Sequence, residues 1–193
     1  MPESDASLIV GLGNPGKDYE ETRHNLGFCV VEHLAERYKT KFVKDKTLEG
    51  LLAAGEIEHR KVYLFLPLTY MNNSGVAVKK VVEAKKIALE NVLVVCDDIN
   101  LTFSQLRLRA SGSDGGHKGL SSLIGHLRFD GFARLRLGIH RPSQKKDVVD
   151  YVLGGFNKKE KELLSGFITK ATDCCVVWLT KGVAKAMSDY NKK

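Results

Sequence analysis

At 193 residues, 43% hydrophobic and 27% charged, the chain has the size and composition of one ordinary globular domain, and no uncharged apolar run nears the eighteen or so residues of a membrane span. A membrane protein is therefore not expected, and the acidic, polar start Met1-Pro2-Glu3-Ser4-Asp5-Ala6-Ser7 lacks the pattern of a secretory signal, so a cytoplasmic location is. The net charge of +7 favours a polyanionic partner such as nucleic acid, although 30 basic residues against 23 acidic ones is a moderate excess. Cys29, Cys96, Cys174 and Cys175 show no C-x-x-C spacing and sit in apolar segments, where they read as reduced, buried thiols without zinc.

In chain order, residues 7–12 form a continuous apolar run, which reads as a buried strand. The turn that closes it, Gly11-Leu12-Gly13-Asn14-Pro15-Gly16, matches the G-x-G-x-x-G pattern of dinucleotide-binding folds. Such a site needs the third glycine to open a helix. Here Gly16 leads into the polar run Lys17-Asp18-Tyr19-Glu20-Glu21, and helical spacing begins only at Gly27 and Phe28. The loop is long enough to present side chains of its own, among them Asn14 and the His24 of Thr22-Arg23-His24-Asn25.

Residues 27–38 repeat apolar positions at three and four and predict a helix. Residues 51–58 and 61–66 predict a hairpin, ended by Pro67. A second helix with a basic face at Lys85 and Lys86 begins near residues 72–74. Residues 91–95 form another apolar strand, followed by Cys96-Asp97-Asp98, and carboxylates at such a strand end lie where open α/β sheets place their ligands. Residues 104–110 and 134–140 alternate as half-buried strands, with Arg107, Arg109, Arg134 and Arg136 on their polar faces. Between them come a loop at 111–116 and a helix at 117–127, and residues 158–187 form a long core-covering helix that Gly182 kinks or caps. Interleaved strands and helices predict one α/β domain over residues 1–193, a mixed sheet between helical layers.

Histidine, with an unperturbed pKa near 6.5, is the natural general base at neutral pH. Asp97 is a candidate to orient His24 and fix its tautomer, leaving the other nitrogen to deprotonate water; local hydrogen bonding is the competing role for that histidine. No G-x-S-x-G elbow surrounds Ser74, Ser121 or Ser122, which sets a serine hydrolase aside. A metal site of His24, Asp97, Asp98 and His117 lacks any H-E-x-x-H spacing, so no metal is expected. Asn14, Asn72 and Asn73 serve equally as turn and cap residues, Gly115-Gly116-His117 as a tight loop before a helix, and the arginine faces as solvated surface or a phosphate clamp.

Taken together and in order, Gly11-Leu12-Gly13-Asn14-Pro15-Gly16, Thr22-Arg23-His24-Asn25, Thr69-Tyr70-Met71-Asn72, Cys96-Asp97-Asp98 and Gly115-Gly116-His117 resemble the bacterial peptidyl-tRNA hydrolase family. The resemblance implies a monomeric, three-layer α/β/α enzyme that hydrolyses the ester between a peptide and the 3′-terminal ribose of tRNA, without metal or cofactor. It implies His24 as general base and Asp97 as its orienting partner. Asn14 would read the peptide backbone and separate N-blocked from free aminoacyl groups, and Asn72 would position the water or the ester carbonyl. Met71 would line the peptide channel, Tyr19, Tyr70 and His117 would shape the cleft, and Arg109 and Arg136 would hold the acceptor-stem phosphate. The chain departs from the family pattern at Lys118, where asparagine is common and where a lysine is placed to meet a tRNA phosphate. It departs again at Asp98-Ile99-Asn100, where glutamate, leucine and aspartate are expected. The alternatives are a non-catalytic RNA-binding module of the same fold and, further off, a nicotinamide-dependent oxidoreductase.

Overall fold

The computed structural model describes residues 6–141 and 147–191, so the acidic start at residues 1–5 lies outside the described residues. Its strands are β1 (Ser7–Gly11), β2 (Val43–Asp45), β3 (Gly50–Ile57), β4 (Arg60–Pro67), β5 (Val92–Asp98), β6 (Leu106–Arg109) and β7 (Ala133–Gly138). They form one mixed, seven-stranded sheet in the order β2-β3-β4-β1-β5-β7-β6. The four central strands β4, β1, β5 and β7 are parallel, and the pairs at both edges are antiparallel. The helices are α1 (Leu26–Arg37), α2 (Ser74–Lys85), α3 (Lys118–Leu127), α4 (Val148–Val152) and α5 (Lys158–Tyr190).

The continuous apolar runs of β1, β4 and β5 follow from burial on both faces. Because side chains alternate across a strand, Ile9, Leu64, Leu66, Leu93 and Val95 face a core shared with α1 and α5. Leu8, Val10, Phe65, Val92 and Val94 face a second core shared with α2 and α3. The result is the expected helix–sheet–helix layering. By length and composition α5 would qualify as a membrane span. Its apolar stripe instead packs on the first core through Phe167, Ala171, Cys174, Cys175, Trp178 and Leu179, and at Gly182 (φ +82°) the helix kinks. Cys96, Cys174 and Cys175 are buried, whereas Cys29, on α1, is only half-buried; partial or full burial pushes the Cys29 thiol up to about 11 and that of Cys174 to about 12.

Four differences from the sequence-based expectations bear on the site. The strand β5 runs past Val95 through Asp97 and Asp98, because its ladder with Leu137 and Gly138 of β7 is made by backbone groups whatever the side chains are. Arg134 is fully buried, not on a solvated face, with its guanidinium donating to the carbonyls of Gly112, Ser113, Asp130 and Phe132. The helix α3 starts at Lys118, with His117 as its N-cap. Strand β2 and helix α4 were not foreseen; each is too short to show a period.

Two contacts bring the loop after β1 to the end of β5. A Cβ on Gly27 would lie 2.4 Å from the Val95 carbonyl oxygen and 2.6 Å from that of Leu12, so only glycine lets α1 start this close to the sheet. Arg23 anchors the other side of the same turn: its guanidinium meets Glu160 Oε2 at 2.7 Å and lies 4.3 Å from the centre of the Tyr151 ring. Glu160 also completes the capping box that starts α5, so the turn bearing His24 is tied to α4 and α5 together.

Candidate active site

A cavity of about 510 Å³ opens at the carboxyl ends of β1, β4, β5 and β7, where ligands bind in open α/β sheets. Asn14, His24, Tyr70, Met71, Asn72, Asp97, His117, Lys118 and Arg136 all line it. Residues more than a hundred positions apart in the chain thus meet at one sheet edge.

His24 lies in a short 3₁₀ turn (Arg23–Asn25) that runs directly into α1, and its Nδ1 is 2.8 Å from Asp97 Oδ1. The same oxygen receives His117 Nε2 at 3.0 Å. The three side chains are nearly closed to solvent, at 12%, 2% and 9% exposure for His24, Asp97 and His117. Burial by itself would raise the Asp97 carboxyl, but the two imidazoles outweigh it and hold that carboxyl well below the usual carboxylate range. Asp97 is thus an anion at neutral pH, accepting from Nδ1–H of His24 and leaving Nε2 as a basic lone pair on the cavity side.

The donor atoms of His24, Asp97 and His117 lie within 4.8 Å of one another, a spacing that invites comparison with a three-ligand metal site. The hydrogen bonding speaks against it. His117 Nδ1 accepts from the backbone N–H groups of Gly119 and Leu120 at 3.1 and 3.3 Å, so the proton of that ring stands on Nε2, where a metal would need a lone pair.

Asn14 is 7% exposed and rigidly set. Its Oδ1 accepts from the Met71 N–H at 2.8 Å, while its backbone N–H and C=O are both held by the side chain of Asn25, at 2.8 and 2.9 Å. With Oδ1 spent on Met71, the amide turns its NH₂ to the cavity, a donor with no partner among the described residues. The sequence gives Asn25 no role, because an amide flanking a turn shows no sign of which backbone it will clamp.

The remaining candidates divide. Met71 is buried in the cavity wall, and Asn72 is exposed on its rim. Tyr70, 60% exposed, also lines it, with Tyr19 packed edge-on behind at 6.5 Å between ring centres. Lys118 is exposed in the first turn of α3, facing the cavity. Arg136 is engaged within the protein, Nη1 with Asp98 Oδ2 at 3.3 Å and Nη2 with the Ser113 carbonyl at 2.8 Å. Arg109 lies outside the cavity, exposed on the edge strand β6. An apolar wall formed by Ile99, Val148, Val149, Val152 and Leu153 escaped the sequence reading, although Asp147 before Val148 is a usable N-cap signal.

Comparison with known proteins addresses the family and the fold. The family model described as peptidyl-tRNA hydrolase matches residues 8–193. Peptidyl-tRNA hydrolase of Clostridium novyi is 45% identical over 184 residues, covering 95% of this chain and 97% of its own, and that of Rhodopirellula baltica is 46% identical over 189 residues, covering 95% and 96%. Among solved structures, peptidyl-tRNA hydrolase from Acinetobacter baumannii superposes with a TM-score of 0.91 at 39% identity, over 97% of this chain and 95% of that one. The chain belongs to the peptidyl-tRNA hydrolase family.

Proposed function

We propose that this cleft hydrolyses the ester joining a peptide to the 3′-terminal ribose of tRNA, with His24 as the base that activates water. The observation that carries the reading is the 2.8 Å contact of His24 Nδ1 with buried Asp97, inside a cavity that Asn14 also lines. Water gives a proton to His24 Nε2 and attacks the ester carbonyl carbon; the acyl C–O bond breaks and the ribose oxygen takes the proton back from Nε2. Asp97 keeps the ring in the productive tautomer and stabilises its cationic form between the two steps. Asn72 on the rim holds the water or the carbonyl oxygen. Proton transfer and donor stabilisation each contribute on the order of a hundredfold or more, enough for an ester already activated by its ribose leaving group. No step calls on a metal or cofactor.

The fixed NH₂ of Asn14 needs an acceptor, which the acyl carbonyl of an N-blocked residue supplies and a free ammonium does not. Met71 and the apolar wall take the peptide. Arg109 and Lys118, which have no ion-pair partner among the described residues, serve tRNA phosphates, with Tyr19 and Tyr70 beside the 3′ end. Arg136 reaches RNA only with donors left over from Asp98 and Ser113. The reading is of an enzyme acting as a monomer, and a tRNA substrate supports a cytoplasmic location. The test is incubation with N-acetyl-aminoacyl-tRNA and with free aminoacyl-tRNA: release of free tRNA is expected from the first and far less from the second. Tight binding without release would instead leave an RNA-binding module.

A further inference from the structure

His117 has so far no part in the reaction beyond lining the cleft, yet its surroundings are among the most determined in the molecule. One ring nitrogen accepts two N–H groups at the start of α3, and the other points at Asp97 Oδ1 from 3.0 Å. Moving the proton to Nδ1 would set an N–H against two N–H donors and the positive end of a helix. The ring therefore has one tautomer available, with Nε2–H directed at the oxygen that also receives His24. The approach to His117 is held as firmly. Arg134 and Arg136, side by side in sequence register on β7, take the carbonyls of Gly112 and Ser113. A Cβ on Gly115 would lie 2.5 Å from Arg136 Nη1, so the loop rests directly on that guanidinium.

We infer that His117 is a positioning residue for the reaction: a second, permanently directed donor that pins the Asp97 carboxylate and takes part of its charge, so that His24 releases its proton more readily. Two donors on one oxygen stop the carboxylate from rotating away from His24, and each weakens the hold of that oxygen on the other. The depressed carboxyl of Asp97 agrees with two stabilising partners. Without the His117 donor, the full charge of Asp97 faces His24 alone, and the protonated imidazole, useless as a base, is favoured. The other charged groups around this pair are Asp98 on β5, paired with Arg136 of β7, then Lys118 on α3 and Arg141 beyond β7, all lining the same cavity. Among the described residues only the two histidines place a side-chain donor on the Asp97 carboxylate.

This rests on His24 being the base, which His24→Ala tests separately. The variant His117→Asn isolates the donor: asparagine is a good N-cap for the Gly119 and Leu120 N–H groups but is too short to reach Asp97. On N-acetyl-aminoacyl-tRNA, the acidic limb of its kcat profile is expected to move up by about half to one pH unit, a loss of up to about tenfold below the limb that shrinks toward the alkaline plateau, with KM unchanged. His117→Gln, whose amide reaches further, is expected to bring the limb back toward the parent profile. An unmoved limb in His117→Asn, even with a uniform loss of rate, or a shift to lower pH, overturns the inference. A measurement on the parent protein guards against a misfolded variant: nitrogen NMR of the His117 ring is expected to show the proton on Nε2, and a proton on Nδ1 overturns the inference as well.

Discussion

In the proposed reaction the chemistry at His24 turns on which nitrogen holds the proton, and Asp97 decides it by occupying the Nδ1 side at 2.8 Å. The same logic of committed atoms governs Asn14. Its Oδ1 belongs to the Met71 N–H, so what the side chain has left to offer is a donor and nothing else. Replacing it with aspartate keeps the contact to Met71 but turns the cavity-facing group into an anionic acceptor. Asn14→Asp is expected to lose about tenfold or more on N-acetyl-aminoacyl-tRNA, the worth of roughly one hydrogen bond, and to narrow the preference over free aminoacyl-tRNA, whose ammonium now finds a partner. Steady-state rates on the two substrates measure both effects. A preserved preference would remove Asn14 from substrate discrimination.

At the scale of elements, Gly11 and Gly13 of the first loop let the chain pack against α1, and Gly16 supplies a turn at φ +108°. A Cβ on Gly11 would lie 2.4 Å from the Gly27 carbonyl oxygen, and one on Gly13 2.7 Å from the Phe28 ring. The turn carrying His24 therefore owes its place to the seat of α1 on the sheet. Gly27→Ala is expected to cost about 1–3 kcal/mol in urea unfolding, as overpacking does, and to depress kcat beyond what the folded fraction accounts for, since His24 moves with α1. What sequence could show here was whatever repeats: the apolar runs of β1 and β5, the helical stripes, and the order of loops that end on one sheet edge. What it hid was decided by tertiary partners. Arg134 alternates like a surface residue yet is fully buried, because its two terminal nitrogens find the carbonyls of Gly112 and Ser113 in one loop and of Asp130 and Phe132 just before β7. Arg136, placed beside it as a phosphate ligand, is half spent on Asp98 and Ser113. The five residues of α4 are too few to show a period, though they bring the apolar wall.

For the whole molecule, the net charge of +7 has exposed representatives at the cleft, where Lys118 and Arg141 line the same cavity as the apolar residues Val148, Val149 and Leu153. An enzyme that gathers tRNA through phosphates should weaken with salt in its binding step and not in its chemistry. KM for a tRNA substrate is expected to rise steeply with potassium chloride while kcat stays level, and Arg109→Ala to lower the salt slope by about one. An unchanged slope would take Arg109 off the RNA path. The fold contributes a pH dependence of its own. The folded Asp97 carboxyl sits below its unfolded value of about 3.9, so its contribution to stability is complete above that pH and is lost as the pH falls further toward the folded value.

The central claim, that a neutral imidazole held by Asp97 activates the attacking water, is tested most directly by the single-turnover rate of His24→Ala on N-acetyl-aminoacyl-tRNA. A loss of about 10²- to 10⁴-fold, with substrate still bound, is the predicted result. Hydrolysis at the parent rate would contradict it and move the base elsewhere in the cleft.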